Sequence, residues 1–210
     1  MKWLPIVVFV ILVPILIIIA NFVIVLYDSP WYHEQFRQMG VYERNQDANA
    51  LLENLQHFFS GDGELSSNLT AEEQSHMRDV RSVIRFAYVL LYITAIASIL
   101  LLFYISKRGA KKVLLTVVYG ALATLVALVV LILLTLNFSA SFVQFHTLFF
   151  QQGTWQFSGD SLLIRTFPEQ FFFAFFRTVI VNSAITALFL LVLMLLAFLY
   201  TNYYVKNRSF

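Results

Sequence analysis

Cysteine is absent from this sequence of 210 residues, and charged residues make up only 12% of it. Without cysteine the chain has no disulfide, no thiolate metal ligand and no cysteine nucleophile. A soluble domain is about one quarter charged and about half apolar, whereas 60% of this chain is hydrophobic. The composition therefore indicates an integral membrane protein.

The charged residues that remain are separated by sign. Ten of the twelve acidic residues lie between Tyr27 and Val80, together with three arginines, and all five lysines lie elsewhere. The net charge of +2 thus conceals an acidic polar block and several small basic clusters. Because no stripe of Lys and Arg accompanies the aromatic residues, we expect no nucleic-acid partner.

Four apolar stretches, at residues 3–27, 86–105, 113–136 and 171–200, are long enough to cross a membrane. A spanning helix needs about 20 predominantly apolar residues. The first stretch is too long for a signal peptide and lacks a small-residue cleavage site, so we interpret it as an uncleaved span. We predict an all-α integral membrane protein with four transmembrane helices and a small helical extracellular cap.

Basic residues near the ends of the spans set the expected orientation. Lys2, the basic turn at residues 107–112, and the pair Lys206 and Arg208 fall on one side of the membrane if there are four spans. That side is the cytoplasm by the positive-inside rule. The predicted division is transmembrane helices at 1–27, 81–105, 113–136 and 171–201, extracellular cap segments at 28–80 and 137–170, a cytoplasmic loop at 106–112 and a cytoplasmic tail at 202–210.

The first cap segment carries local helix signals. Asp28-Ser-Pro is typical of a helix start, and Ser60-Gly-Asp-Gly is typical of a helix end. Thr70-Ala-Glu-Glu is a capping box, and it begins a helix that we expect to run through His76 directly into the second span. An amphipathic helix is predicted where apolar residues recur at spacings of three and four, at Ala48, Leu51, Leu52, Leu55, Phe58 and Phe59.

The second cap segment is aromatic. We expect residues 142–150 to continue the third span as a helix that Gln151-Gln-Gly-Thr then breaks. So many exposed aromatic rings would be a liability in water, and we expect them to pack on the first cap segment or to enter the headgroup region of the membrane. They are Phe138, Phe142, Phe145, Phe149, Phe150, Trp155 and Phe157.

Two of the four histidines stand out by position. His33 and His57 lie on the predicted cap helices, where a structural role is the simpler interpretation. His76 and His146 each lie ten residues beyond a span, and these two spans are joined by a short turn, which makes them antiparallel neighbours. Ten helical residues rise about 15 Å, so we expect both imidazoles above one helix pair, near headgroup height.

Other polar residues offer less specific chemistry. Asp79 lies three residues after His76, on the same helix face, where a carboxylate can fix the imidazole tautomer; the alternative is an exposed intrahelical pair. His76, Asp79 and His146 without a tight motif are weak support for a metal site. Arg165, before the fourth span, can meet a lipid phosphate or a substrate carbonyl. From the residues alone we predict histidine acid/base chemistry on a lipidic substrate, with no particular reaction.

The order of several motifs resembles the bacterial lipoprotein intramolecular transacylase family. The first is His76-Met-Arg-Asp-Val with its preceding capping box. The others are Phe145-His-Thr-Leu-Phe-Phe, Gly153-Thr-Trp, Asp160-Ser-Leu-Leu-Ile and Phe167-Pro-Glu-Gln-Phe-Phe. Together they extend the resemblance over essentially the whole chain.

This resemblance implies an enzyme of Gram-positive bacteria that acts in the cell membrane through two histidines, His76 and His146. It implies that an acyl chain moves from the sn-2 glyceryl oxygen to the N-terminal α-amine of a diacylglyceryl lipoprotein, without cofactor or metal. Residues expected to orient these groups or to bind substrate are Asp79, Arg165, Trp155, Tyr42, Phe145 and Phe149. Two alternatives stay open: a non-catalytic tetraspan protein that binds lipid or protein, and a metal-dependent lipid hydrolase using His76, Asp79 and His146.

Overall fold

The computed structural model describes residues 3–151 and 153–207 of the chain. These residues form helices and connecting turns, with no strand among them, so the predicted all-α class is confirmed. In chain order the helices are α1 (Leu4–Leu26), α2 (Ser29–Gln38), α3 (Val41–Arg44), α4 (Ala48–Ser60), α5 (Ala71–Ser106), α6 (Ala110–Thr135), α7 (Phe138–Phe149), α8 (Leu162–Thr166) and α9 (Glu169–Asn207).

Four of these helices, α1, α5, α6 and α9, are long and apolar enough to cross a membrane. Many of their apolar side chains are exposed, including Ile99, Phe103 and Val126. Such a surface would be a liability in water and is what lipid contact requires. The prediction of four spans is confirmed. Of the basic residues used to predict the orientation, Lys2 and Arg208 lie outside the described residues.

The chain divides into two compact units. Of the described residues, the membrane unit comprises those within 1–21, 89–133 and 179–210, and the cap unit comprises those within 22–88 and 134–178. In the membrane unit, Phe9, Val13 and Ile17 of α1 form a buried apolar cluster. Gly120 of α6 packs directly on Val13, since a Cβ at this glycine would lie only 3.0 Å from that side chain.

Two apolar clusters form the interior of the cap unit, and α4 contributes to both. One consists of Tyr32, Phe36, Val41, Ala48, Leu52 and Phe171. The other consists of Leu51, Leu55, Phe58, Leu69, Met77 and Leu163. Because Leu51 and Leu52 are adjacent in sequence yet belong to different clusters, α4 buries a wide apolar stripe, as its periodicity predicts.

Side-chain caps begin the cap helices where the sequence predicts them. The Asp28 carboxylate accepts a hydrogen bond from the Trp31 amide (3.1 Å) at the start of α2. At the start of α5 the Glu73 amide donates to the Thr70 hydroxyl (3.2 Å), and the Thr70 amide donates to the Glu73 carboxylate (2.9 Å). This reciprocal pair is a capping box.

Helix α5 then continues without a break to Ser106. Residues 71–85 carry six charged side chains, whereas residues 86–106 carry none. The membrane-spanning part of α5 therefore begins near Phe86, and the preceding residues are a polar extension within the cap unit.

The aromatic segment departs from the prediction at its beginning. Helix α6 ends at Thr135, and α7 starts afresh at Phe138 instead of continuing the third span. The Asn137 side chain caps α7 by accepting a hydrogen bond from the Ala140 amide (3.3 Å). Asparagine favours this position because its side-chain oxygen satisfies an amide that the first helical turn leaves free.

Candidate active site

The structure brings His76 and His146 together in the cap unit. His76 lies on the polar extension of α5 and His146 lies on α7, and both side chains are buried. Their ring centroids are 6.2 Å apart, and their planes are inclined by 25°. The arrangement agrees with the proximity expected from the ten-residue spacing of each histidine from its span.

Aromatic rings surround the histidine pair. Phe150 contacts both histidines, with centroid distances of 4.8 Å to His76 and 5.3 Å to His146. Phe157 lies 5.6 Å from His76, and Trp155 lies 4.7 Å from His146. Such a shell excludes water, which strengthens electrostatic interactions inside it.

The hydrogen bonds of the two imidazoles differ. His146 Nδ1 lies 2.8 Å from the Phe142 carbonyl oxygen. Because a carbonyl oxygen can only accept, Nδ1 carries the proton, and Nε2 of the neutral ring presents its lone pair. His76 Nδ1 is buried and has no hydrogen-bond partner among the described residues. His146 is therefore fixed in one tautomer, while His76 has an unused polar atom.

Both histidines are held neutral at neutral pH. Burial, with a smaller contribution from repulsion by His146, lowers the pKa of His76 to about 4. Burial also lowers the pKa of His146, and it outweighs the hydrogen bond to Phe142, which favours the charged ring. Desolvation penalises the charged form of an imidazole, so the aromatic surroundings are the main cause in each case.

The buried Glu73 carboxylate joins α5 to the aromatic segment. Its Oε1 accepts hydrogen bonds from the Ser161 hydroxyl (2.5 Å) and the Leu163 amide (3.1 Å) at the start of α8. Burial raises the pKa of this carboxyl, but hydrogen bonds from Ser161 and from the Thr70 and Leu163 amides together lower it below the ordinary value. Glu73 lies one turn before His76 and so fixes the helix that carries this histidine.

A second buried bond secures α8. Asn45 Nδ2 donates to the Thr166 hydroxyl (2.8 Å), which in turn donates to the Leu162 carbonyl (2.7 Å). Both Asn45 and Thr166 are buried. The capping box identified Glu73 only as a local cap, Ser161 was marked only as part of the motif Asp160-Ser-Leu-Leu-Ile, and no local pattern indicated Asn45 or Thr166.

Asp79 does not make the contact expected for it. Among the described residues, no hydrogen bond or ion pair joins its carboxylate to His76, whose ring faces Phe150 and Phe157 instead. Asp79 is half-buried and lines a cavity of about 530 Å³. The other lining residues are Ser75, Ser82, Val83, Phe86, Phe149, Phe150, Gln151 and Thr154.

The remaining expected residues are dispersed over the cap unit. Phe145 and Phe149 contact each other along α7 with a centroid distance of 4.8 Å and an interplanar angle of 40°, and both are exposed. Tyr42 packs on Phe36, which belongs to the cluster around Tyr32, and its hydroxyl donates to Asn49 (2.9 Å).

Arg165 is exposed near the end of α8, where its side chain makes no hydrogen bond or ion pair within the described part of the chain. His33 and His57 are exposed and line a separate cavity of about 520 Å³. Among the described residues, no three His, Asp or Glu side chains are placed to hold a metal ion.

Comparisons with known proteins agree on one family and one fold. The family model described as lipoprotein intramolecular transacylase Lit matches residues 2–172. The solved structure of the membrane integral lipoprotein intramolecular transacylase Lit from Bacillus cereus is 21% identical, with a TM-score of 0.81 over 99% of this chain and 97% of that chain.

Two variants of that Bacillus cereus protein, in which one histidine is mutated to arginine or to alanine, have TM-scores of 0.79. They are 20% and 19% identical, and the matches cover 98% of this chain and 92% and 94% of theirs. No curated protein matches the sequence. At these identities the likeness to solved structures establishes the fold.

Acid should destabilise the cap unit through His76. Because this ring is neutral when folded and its pKa rises towards 6.5 on unfolding, the unfolded chain binds the extra proton first, and stability falls as the pH drops from about 6.5 to about 4. We expect the thermal midpoint of the purified protein to fall less over this range in His76→Gln than in the parent. His33→Gln, at an exposed position, is the matched control. Equal pH dependence in parent and His76→Gln would contradict the burial argument.

Proposed function

The chain belongs to the lipoprotein intramolecular transacylase Lit family, and on this basis we propose that it moves an acyl chain within a diacylglyceryl lipoprotein. The acyl chain passes from the sn-2 glyceryl oxygen to the α-amine of the lipoprotein's N-terminal cysteine. The observation that carries this proposal is the buried histidine pair, whose centroids are 6.2 Å apart in an aromatic site.

The proposed reaction needs a base and an acid but no external acyl donor. The amine nitrogen attacks the ester carbonyl carbon, the bond from that carbon to the glyceryl oxygen breaks, and one proton passes from nitrogen to that oxygen. Attack closes a ring of eight atoms: nitrogen, Cα, Cβ, sulfur, two glyceryl carbons, the ester oxygen and the acyl carbon. Closing such a ring is entropically unfavourable, so positioning the substrate is a large part of the catalysis.

His146 is suited to accept the proton. Its Nδ1–H is bonded to the Phe142 carbonyl, which leaves the Nε2 lone pair as the acceptor. Once the nitrogen has bonded to the acyl carbon it is more acidic than a free α-ammonium of pKa about 7.7–8.0, so a neutral imidazole can take its proton although burial lowers the pKa of His146. The imidazolium of His146 then gives this proton to the departing glyceryl oxygen, and neutral His76, the second imidazole of the pair, donates a hydrogen bond to that oxygen as the bond breaks.

The cavity beside Asp79 suits the polar end of the substrate. Ser75, Asp79 and Ser82 form its polar wall, while Phe149 and Phe150 form an apolar wall. Phe150 also contacts both histidines. We assign Asp79 to binding the substrate ammonium before it is deprotonated, and Phe145 and Phe149 to contact with the acyl chains. Exposed Arg165 is assigned to a lipid phosphate.

We place the protein in the bacterial cell membrane with both termini in the cytoplasm and the cap unit outside. The basic turn between α5 and α6 supports this orientation. A lipoprotein whose modified cysteine lies on the outer side would then meet the histidine pair there.

Single cysteines test this orientation, since the parent chain has none. Glu64→Cys, in the loop before α5, should react with a membrane-impermeant thiol reagent on intact cells. Lys111→Cys, at the start of α6, should react only after permeabilisation. Both positions are exposed, whereas nearby Gly109 has a φ of +106° that disfavours cysteine. The reverse labelling pattern would overturn the orientation.

Removing either histidine of the pair should abolish acyl migration. A general acid or base contributes about 10²–10⁴-fold to a rate, so His76→Ala and His146→Ala should each lower the rate of lyso-form production at least about a hundredfold. His33→Ala and His57→Ala are the controls and should retain most activity, because these side chains are exposed in a different cavity. Mass spectrometry of the lipoprotein N-terminus provides the measurement.

The same spectra separate the alternatives. Migration leaves the lipoprotein mass unchanged, because the acyl chain is moved and not donated. A loss of one acyl chain would indicate a hydrolase, and a gain would indicate an intermolecular transferase. Equal lyso-form production by the parent and the doubly substituted protein would eliminate the two-histidine mechanism. No activity on any lipoprotein would favour a non-catalytic tetraspan protein.

Asp79→Asn should weaken substrate binding more than it slows chemistry. A hydrogen bond to a charged group contributes about 1.5–3 kcal/mol, so KM should rise about tenfold or more with kcat little changed. Glu72→Gln, at an exposed position earlier on α5, is the matched control. A normal KM in Asp79→Asn would remove Asp79 from the binding site, and a large fall in kcat alone would indicate a role in the chemical step.

A further inference from the structure

The two tryptophans of the cap unit use their indole N–H groups differently. Trp31 Nε1 donates to the Thr178 hydroxyl at 3.1 Å. Trp155 Nε1 is buried and has no hydrogen-bond partner among the described residues. An indole nitrogen is a donor only, so the group that would complete Trp155 has to be an acceptor.

A buried donor without an acceptor destabilises the folded state, and such groups are uncommon in native proteins. Where they persist, a catalytic role is one of the standard explanations. Trp155 lies where such a role is possible, because its ring packs on His146 with a centroid distance of 4.7 Å and an interplanar angle of 39°. The indole N–H of Trp155 therefore lies within the aromatic shell that surrounds the histidine pair.

The local chain direction explains how Trp155 reaches His146. Helix α7 ends at Phe149, and the Thr154 amide and hydroxyl both donate to the Gln151 carbonyl, at 3.2 and 2.8 Å. Gly153 adopts a φ of +88°, and a Cβ at this glycine would have nothing within 4 Å. Glycine is thus needed here for its backbone conformation. The resulting turn lets Trp155 pack against α7.

Attack on an ester creates a second electrostatic requirement besides proton transfer. As the amine nitrogen bonds to the acyl carbon, the carbonyl π electrons move to the carbonyl oxygen, which becomes an oxyanion. The Nδ1–H of His146 is already bonded to Phe142, so it is not available to this oxygen. Donors fixed in advance at the place where charge develops are often the largest contribution to catalysis.

We propose that Trp155 is a catalytic residue whose Nε1–H donates a hydrogen bond to the oxyanion formed from the sn-2 acyl carbonyl. This inference rests on the proposed transacylase function. The indole keeps its proton throughout. When the bond from the acyl carbon to the glyceryl oxygen breaks, the carbonyl re-forms as the new amide and the proton from the amine reaches the glyceryl oxygen, so atoms and charge balance.

Trp155→Phe removes the donor while keeping a ring against His146. Loss of one oxyanion donor typically lowers kcat about 10²–10³-fold, and we expect a fall of that size with KM little changed. The thermal midpoint should stay the same or rise, because the substitution removes an unpaired buried polar group. If Trp155 served only for packing, Trp155→Phe would lower the thermal midpoint together with kcat.

Trp31→Phe is the matched control. It removes an indole N–H that already has an acceptor, so it should lower the thermal midpoint and leave kcat nearly unchanged. A phosphonate in place of the sn-2 ester gives a second measurement that is independent of turnover. Trp155→Phe should weaken binding of this oxyanion mimic by about the same factor as kcat, and it should leave binding of the corresponding ether unchanged.

An unchanged kcat in Trp155→Phe would overturn the proposal. It would also be overturned if kcat and the thermal midpoint fell together while the ratio of phosphonate affinity to ether affinity stayed as in the parent. If the parent protein and Trp155→Phe move the acyl chain at the same rate, the role proposed for Trp155 is wrong but the proposed function stands. If the parent protein leaves the acyl chain in place, the proposed function fails and this inference fails with it.

Discussion

The candidate site depends on the hydrogen bonds that the buried carboxylate of Glu73 accepts. A buried charge is tolerated only when hydrogen bonds compensate for lost hydration, and Glu73 obtains them from Thr70, Ser161 and Leu163. The same side chain therefore begins α5 and holds the start of α8 against it. Since His76 follows one turn later on α5, the position of the first histidine depends on an interaction that also organises the aromatic segment.

The aromatic packing that stabilises the cap unit also determines the chemistry of its two histidines. Burial lowers the pKa of His76 and of His146, so both rings are available as neutral groups, and the Phe142 carbonyl selects the tautomer of one. Within the described part of the chain, the packing leaves His76 Nδ1 and Trp155 Nε1 without hydrogen-bond partners. Polar groups that reduce stability in this way are expected where a site has been shaped for a substrate and not for folding alone.

Much of the fold could be predicted from the sequence because its signals are local. Apolar stretches predict the spans, and the Thr70–Glu73 capping box predicts the start of α5. The site was only partly predictable, since Glu73 meets Ser161 and Leu163 across 88 and 90 residues and Asn45 meets Thr166 across 121. The three-residue spacing of His76 and Asp79 predicts that both lie on one face of α5. In the structure, however, the imidazole packs against Phe150 and the carboxylate lies beside a cavity.

The position of His76 along α5 constrains how a lipid ester can reach the histidine pair. His76 precedes Phe86, where the apolar part of α5 begins, by ten residues, or about 15 Å of helix. For the proposed reaction, the ester has to rise from the headgroup region or the cap unit has to sit partly within it. The apolar side chains exposed on α7 offer acyl chains a contact surface in either arrangement; they are Val143, Phe145, Leu148 and Phe149. The proposed reaction therefore calls for apolar contacts to the acyl chains as well as proton transfer by the two histidines.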